Sequence, residues 1–191
     1  MSLVDLIAQA DERGLAASGL ACLDRCVPLL GDDDEVLRPL WSSLAVGGAD
    51  GGAVGGAWAE RLAEARAELD CAEPEPDSGS GPEAGAAAGD EDQAAVLARR
   101  MLAAAPDDPC TSALRPWADA CSAAALQIHR LLDVAPDGDG PLVAAELRRQ
   151  VAVLELLAGR GAGGLRPALE VSTEGRRVLR AVVSRRARGR S

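Results

Sequence analysis

The sequence predicts an all-α protein: a bundle of six to eight helices with one long acidic loop rich in Gly, Pro and Ser. Two observations lead to this fold class. Hydrophobic residues make up 48% of the 191-residue chain, and most of them are Ala, Leu and Val, with few β-branched runs. In several segments, apolar residues also recur at the spacing of an amphipathic helix. These segments are separated by stretches rich in Gly and Pro.

The first part of the chain contains three predicted helices before its first Gly-rich stretch. Ser2 is a suitable N-cap for the first helix, and Gly14 should end it. The second covers residues 15–30 and is bent or ended by Pro28. The third follows the acidic residues at 32–35, which suit the positive end of a helix dipole.

A fourth helix and the loop after it divide the chain into two halves. One face of this helix carries apolar residues at helical spacing: Trp58, Leu62, Ala65 and Leu69. The next segment combines Pro, Gly, Ser and acidic residues without apolar periodicity, as flexible linkers do. We therefore expect an N-terminal helical half (1–71), a flexible acidic linker (72–92) and a C-terminal helical half (93–191), with both halves sharing one core.

The C-terminal half begins with helices predicted over residues 93–104, 112–134 and 141–158. The second of these has the strongest periodicity, and one of its faces carries Leu114, Trp117, Cys121, Ala125, Ile128 and Leu132. The apolar residues of the third cover more than half of its circumference. This width predicts that residues 141–158 form the central helix of the bundle, packed by neighbours on several sides.

Charge is distributed unevenly along the chain, whose net charge is −10. Residues 1–140 hold 26 acidic residues and nine arginines, a net charge of −17, whereas residues 141–191 hold four acidic residues and 11 arginines, a net charge of +7. The acidic body should repel nucleic acid. Only the C-terminal segment is suited to contact a polyanion.

The N-terminal segment and the cysteines predict a cytoplasmic protein. Residues 1–14 lack a basic n-region and carry Asp5 within their apolar stretch, so we expect no signal peptide. No run reaches the roughly 18 apolar residues that a membrane span needs. The five cysteines, odd in number and without framework spacing, suit a reducing compartment.

Residues 135–146 resemble the calcium-binding loop of an EF-hand, over these twelve residues only. Three acidic residues match ligand positions three, five and twelve of that loop: Asp137, Asp139 and Glu146. Ala135 departs from the pattern, because position one should carry a carboxylate. The interpretation we favour is a tight acidic turn in which Asp139 caps the next helix and Pro141 starts it.

Elsewhere the sequence contains no motif typical of a catalytic, metal or cofactor site. Cys22 and Cys26 lie one helical turn apart, but the other candidate zinc ligands have no recognised spacing: Cys71, Cys110, Cys121 and His129. We expect the cysteines to be core residues. His129, the only histidine, should pair with Asp133 one turn later. The glycine runs lack the Lys-Ser/Thr of a phosphate-binding loop, and we predict no enzyme activity, no metal and no cofactor.

The C-terminal helix carries the arginines on which the functional hypothesis depends. Its docked side should be aliphatic, formed by Val178, Leu179, Val182 and Val183. Arg176 falls on the opposite side of the helix, and docking should end near Ser184, which leaves residues 185–191 in solvent. The predicted partner-binding residues are Arg177, Arg180, Arg185, Arg186, Arg188 and Arg190.

Three roles are open for these arginines. They complement the negative end of their own helix and the protein's acidic surface, they bind an acidic protein partner, or they contact nucleic-acid phosphates. The hypothesis that follows is a non-enzymatic cytoplasmic protein–protein interaction or regulatory protein with an acidic partner. The alternative is a nucleic-acid-associated protein that uses the Arg-rich C-terminal tail. No membrane association is expected, and homo-oligomerisation is a further option.

Overall fold

The computed structural model describes residues 1–31, 35–46, 57–70, 85–133 and 140–189. These ranges contain eight α-helices: α1 (Leu3–Gln9), α2 (Glu12–Cys26), α3 (Arg38–Val46), α4 (Trp58–Asp70), α5 (Gly85–Ala103), α6 (Thr111–Leu132), α7 (Pro141–Arg160) and α8 (Leu165–Gly189). Two short 3-10 turns cover Val27–Leu29 and Gly161–Gly164. The described residues contain no β-strand, and the predicted all-α bundle of six to eight helices is confirmed.

Helix α2 is the centre of the bundle. It packs against α6, α7 and α8, and it also contacts α3 and α5. Every residue from Gly14 to Cys26 is buried, so this stretch has no side facing solvent. Gly19 permits the close approach of α6, because a Cβ at this position would lie 2.5 Å from the Trp117 ring.

The prediction that residues 141–158 form the central helix is wrong. Helix α7 covers them, but it buries a narrower face, formed by Val143, Glu146, Gln150, Val153, Leu154 and Leu157. Leu147, which belongs to the predicted apolar arc, is 42% exposed. Exposed leucines are common on folded proteins, so the width of an apolar arc overstates how much of a helix is covered.

Helix α6 buries the face predicted for it. The six residues of that face are all buried: Leu114, Trp117, Cys121, Ala125, Ile128 and Leu132. The indole Nε1 of Trp117 donates a hydrogen bond to the carbonyl oxygen of Met101 at 2.9 Å. Its ring meets Trp58 edge-on, with centroids 6.1 Å apart. This aromatic pair joins α4, α5 and α6.

Local caps determine where the first two helices begin. Ser2 caps α1 as predicted, since its hydroxyl accepts the N–H of Asp5 and the Asp5 carboxylate accepts the N–H of Ser2. Gly14 does not end this helix, contrary to prediction. Asp11 caps α2 by accepting the N–H of Gly14 at 2.7 Å, which places the glycine in the first turn of α2.

One hydrophobic core contains residues from both halves of the chain and from all eight helices. Helix α5 begins at Gly85, so residues 85–92 of the predicted linker are helical. Residues 71–84 lie outside the described part of the chain. The covering of α2 by α6, α7 and α8 means that the N-terminal half completes its core only with the C-terminal half.

Candidate functional site

The predicted partner-binding arginines lie on α8, which continues without interruption to Gly189. Between Gly175 and Gly189 this helix contains six arginines and no acidic residue. At 1.5 Å per residue, the stretch is about 21 Å long. Its basic character therefore belongs to an ordered helix and not to an extended tail.

Three of these arginines form a common exposed surface: Arg177, Arg185 and Arg188 are all exposed. At about 100° per residue they fall within roughly 80° around the helix axis. We call these three residues the arginine face. Arg180 is half-buried, and Arg190 lies outside the described residues.

Arg186 is not part of the arginine face, and the prediction that it extends into solvent is wrong. Its side chain is only 22% exposed and lies 3.5 Å from the carboxylate of Asp90 on α5. Its guanidinium also donates to the carbonyl oxygen of Leu132, the last residue of α6, at 3.3 Å. Because the last carbonyls of a helix lack intrahelical partners and carry partial negative charge, Arg186 caps α6.

A buried ion pair fixes α8 just before the arginine face. Nη1 of Arg176 donates to Oδ1 of Asp24 on α2 at 2.8 Å, and the two side chains are 8% and 2% exposed. The prediction of Arg176 on the solvent side is therefore wrong. The reason is the close crossing of α8 over α2 at Gly175, where a Cβ would lie 2.3 Å from Cδ of Arg25.

A second buried ion pair connects α2 to α7. Nε and Nη2 of Arg25 donate to the two carboxylate oxygens of Glu146 at 2.7 and 2.6 Å. Neither side chain is exposed. Two parallel hydrogen bonds between a guanidinium and a carboxylate fix both the distance and the orientation of the helices that carry them.

Polar side chains of α6 and α7 extend this pair into a network. Nε2 of Gln150 donates to Glu146 at 2.9 Å, and the Ser122 hydroxyl donates to Oε1 of Gln150 at 2.7 Å. His129 lies with Nδ1 2.7 Å from a backbone carbonyl of its own helix and Nε2 3.6 Å from the Glu146 carboxylate. The carboxylate that faces His129 is thus that of Glu146, whereas the sequence predicted that of Asp133.

Burial and neighbouring charges set the protonation states in this network. Burial alone would raise the pKa of Glu146, but the charge and hydrogen bonds of Arg25 outweigh it and lower the pKa to about 2. Burial lowers the pKa of His129. Burial raises the pKa of Cys22 to about 12, so the thiol is protonated at neutral pH and is a weak nucleophile and metal ligand.

The segment that resembles an EF-hand loop lacks its twelfth ligand, because Glu146 faces the core. Pro141 is the first residue of α7, as predicted. The carboxylate of Asp133 accepts the N–H of Leu142 at 2.9 Å and so caps this helix. The other two candidate calcium ligands lie outside the described residues: Asp137 and Asp139.

The cysteines do not converge on a metal site in the described ranges. Cys22, Cys26 and Cys121 are buried, Cys110 is partly exposed, and Cys71 lies outside those ranges. There, no cluster of three or more His, Cys, Asp or Glu side chains is arranged to hold a metal ion.

Sequence reasoning missed Arg25 and Gln150, and it assigned Glu146 to the wrong site. The signal was present in α7. Glu146 and Gln150 lie on the same helical face as Val143 and Val153, so polar side chains occupy positions that the apolar spacing marks as core. The partner of Glu146 on α2, Arg25, lies 121 residues away, and no local pattern connects these two residues.

Comparison of the chain with protein-family models, with curated proteins and with solved structures gave no match. None of the helices in the described part of the chain is both long and apolar enough to span a membrane. The arginine face is accessible from solvent, whereas the network around Glu146 is enclosed by the helices that it joins. The arginine face is therefore the candidate site for another molecule.

Proposed function

We propose that the protein is a non-enzymatic interaction protein that binds an acidic segment of a protein partner through the arginine face of α8. The observation that carries this proposal is the exposure of three arginines within one arc of a helix whose opposite side is packed. The buried Arg176–Asp24 pair and the capping of α6 by Arg186 hold that helix in place. Binding then requires little further ordering of the backbone.

The geometry of the arginine face supports a carboxylate-rich polypeptide as the partner. Arg177 and Arg188 are separated by three helical turns, about 17 Å along the axis. Guanidinium groups bind carboxylates through two parallel hydrogen bonds. An extended or helical segment with several Asp or Glu residues can span this distance. We place the interaction in the cytoplasm, since the free cysteines of the described chain suit a reducing compartment.

A titration with a defined acidic probe tests the proposal. A fluorescently labelled Glu-rich peptide is titrated with the full-length protein at low ionic strength and followed by anisotropy. Replacing the arginine face (Arg177→Gln, Arg185→Gln, Arg188→Gln) should weaken binding at least tenfold, because each charged hydrogen bond contributes about 1.5–3 kcal/mol.

The control variant removes three exposed arginines elsewhere: Arg38→Gln, Arg100→Gln and Arg166→Gln. It changes the net charge equally and should leave peptide binding nearly unchanged. Equal losses of peptide affinity in both variants would show that binding depends only on the overall charge of the protein. The same two variants, used as baits in native lysate, identify any natural partner that depends on the arginine face.

The alternative is nucleic-acid association, which is favoured by the run of six arginines without an acidic residue on α8. Short duplex DNA replaces the peptide in the same titration, across a salt series. Binding at about 50 mM salt that falls steeply with added salt and is lost in the arginine-face variant would support this alternative. The net charge of −17 over residues 1–140 argues against it.

A further inference from the structure

A cavity of about 480 Å³ lies where the C-terminal ends of α4 and α5 meet. This volume is within the range of about 300–1,000 Å³ that small-molecule sites occupy. Four of its lining residues are aliphatic and buried, and we call them its floor: Leu30, Leu69, Leu102 and Ala105. Asp107, whose side chain is 72% exposed, marks the side open to solvent.

One of the two arginines in the cavity wall is engaged within the protein. Nη2 of Arg66 donates to the carbonyl oxygens of Ala103 and Ala105 at 3.1 and 2.6 Å, and Nη1 donates to Asp107 at 2.7 Å. Arg66 thus caps the end of α5, and the carboxylate of Asp107 balances its charge.

Arg99 is the second arginine of the wall, and it differs from Arg66. Its side chain is half-buried, and its guanidinium has no hydrogen bond or ion pair with the residues that the structure describes. It precedes Leu102 by three residues on α5, so both side chains lie on one helical face. The cavity therefore combines an aliphatic floor with a guanidinium whose charge is not balanced by any carboxylate of the described residues.

We propose that this cavity binds a small aliphatic carboxylate, with its headgroup on Arg99 and its chain on the leucine floor. A carboxylate matches a guanidinium in charge and in hydrogen-bond geometry. A single cation without a counter-charge in the described ranges matches a monoanion better than a phosphate dianion. The floor contains leucine and alanine without an aromatic ring, which favours an alkyl chain over a planar ligand.

Trp58 reports on this site from the protein itself. Its indole Nε1 donates to the carbonyl oxygen of Pro106 at 2.7 Å, and Pro106 belongs to the cavity wall. A ligand that displaces water from the cavity changes the environment of this residue. We expect a saturable change in tryptophan emission together with a rise in the thermal midpoint.

The test titrates the full-length protein with hexanoate, octanoate and decanoate, and with octanol and inorganic phosphate as comparison probes. We expect saturable binding of at least one carboxylate, with octanol and phosphate at least tenfold weaker. The proposal would be overturned if no saturable change occurred up to about 10 mM carboxylate, a concentration at which even a site with a millimolar Kd is filled. It would also be overturned if octanol or phosphate bound as tightly as octanoate.

Two variants on neighbouring residues separate the site from general charge effects. Arg99→Gln should weaken carboxylate binding about tenfold, the loss of one charged hydrogen-bonding group. Arg100→Gln removes the same charge from an exposed position outside the cavity and should bind like the unmodified protein. Equal binding by the Arg99 variant and the unmodified protein would also overturn the proposal. Neither variant touches the arginine face, so this test is independent of the acidic-partner proposal.

Discussion

Arg25 and Glu146 form a doubly hydrogen-bonded ion pair inside the core, with N–O distances of 2.7 and 2.6 Å. Both side chains are fully buried. Removing two charges from water costs several kcal/mol for each ion, and only the geometry of the pair offsets that cost. The loss of one member should therefore destabilise the fold far more than the intact pair stabilises it.

Replacing Glu146 with Gln should destabilise the protein by about 3–5 kcal/mol, because the charge of Arg25 then remains buried without its counter-ion. The free energy of unfolding is measured by urea titration. Glu155→Gln is the control, since it removes an exposed carboxylate from the same helix and should change stability by less than about 0.5 kcal/mol. A loss below about 1 kcal/mol for the Glu146 variant would contradict a buried, paired charge.

The same carboxylate should give the protein a specific sensitivity to acid. The pKa of Glu146 is about 2 in the folded protein, against an ordinary value of 4.5. A carboxylate whose pKa is lowered by folding stabilises the folded state at pH values above its ordinary pKa. For Glu146 this contribution is about 3 kcal/mol, and it is lost as the pH falls from 4.5 towards 2. The difference in unfolding free energy between the unmodified protein and Glu146→Gln should therefore shrink between pH 5 and pH 3. A constant difference over this range would show that Glu146 does not titrate in the way that its ion pair requires.

Substitution of Gly175 should separate α8 from α2. A Cβ there would lie 2.3 Å from Cδ of Arg25 and 3.0 Å from Cδ of Arg149, and Arg25 cannot move without breaking its pair with Glu146. We expect Gly175→Ala to destabilise by about 1–3 kcal/mol. Gly159→Ala is the opposite case, because Gly159 lies in α7 with nothing within 4 Å of the added Cβ. Thermal unfolding should show that the Gly159→Ala variant is more stable than the unmodified protein by up to about 1 kcal/mol. If both glycine variants changed stability in the same direction, the close crossing at Gly175 would be contradicted.

The arginines at the end of α8 should differ in their contribution to stability. Arg186→Gln should cost about 1 kcal/mol, because it removes the group that caps α6. Arg185→Gln and Arg188→Gln should change stability by less than about 0.5 kcal/mol, since both side chains are exposed. Urea titration of the three variants decides the matter, and equal values would mean that Arg186 belongs with the exposed arginines.

The contrast between α6 and α2 shows how much of the fold the sequence could predict. Helix α6 has one buried and one exposed side, so its apolar residues recur at 3.6 spacing, and all six residues predicted for its core face are buried. The prediction missed three further buried residues of this helix: Ala118, Ser122 and His129. Helix α2 is covered on all sides and carries no such alternation. The indication of its central position was the abundance of small residues, among them Gly19, which allow other helices to approach.

The site was less predictable than the fold, because neighbouring arginines on one helix have different partners. Arg176 and Arg177 are adjacent, yet one is buried against Asp24 and the other is exposed. Arg186 follows Val182 by one helical turn and so lies on the docked side of α8, but its contact with the end of α6 depends on how two helices meet in space. Periodicity gives the side of a helix on which a residue lies, and long-range packing decides what it touches there.

The pairing of Asp24 with Arg176 spans 152 residues, and this separation has a consequence during synthesis. At roughly 5–20 residues per second, the ribosome makes the second residue roughly 8–30 s after the first. Helices α6 and α7 are made only in the later part of that interval and α8 is completed after it, so until then part of the apolar surface of α2 is open to other chains. Apolar surface that is exposed for this long on a nascent polypeptide is prone to aggregation.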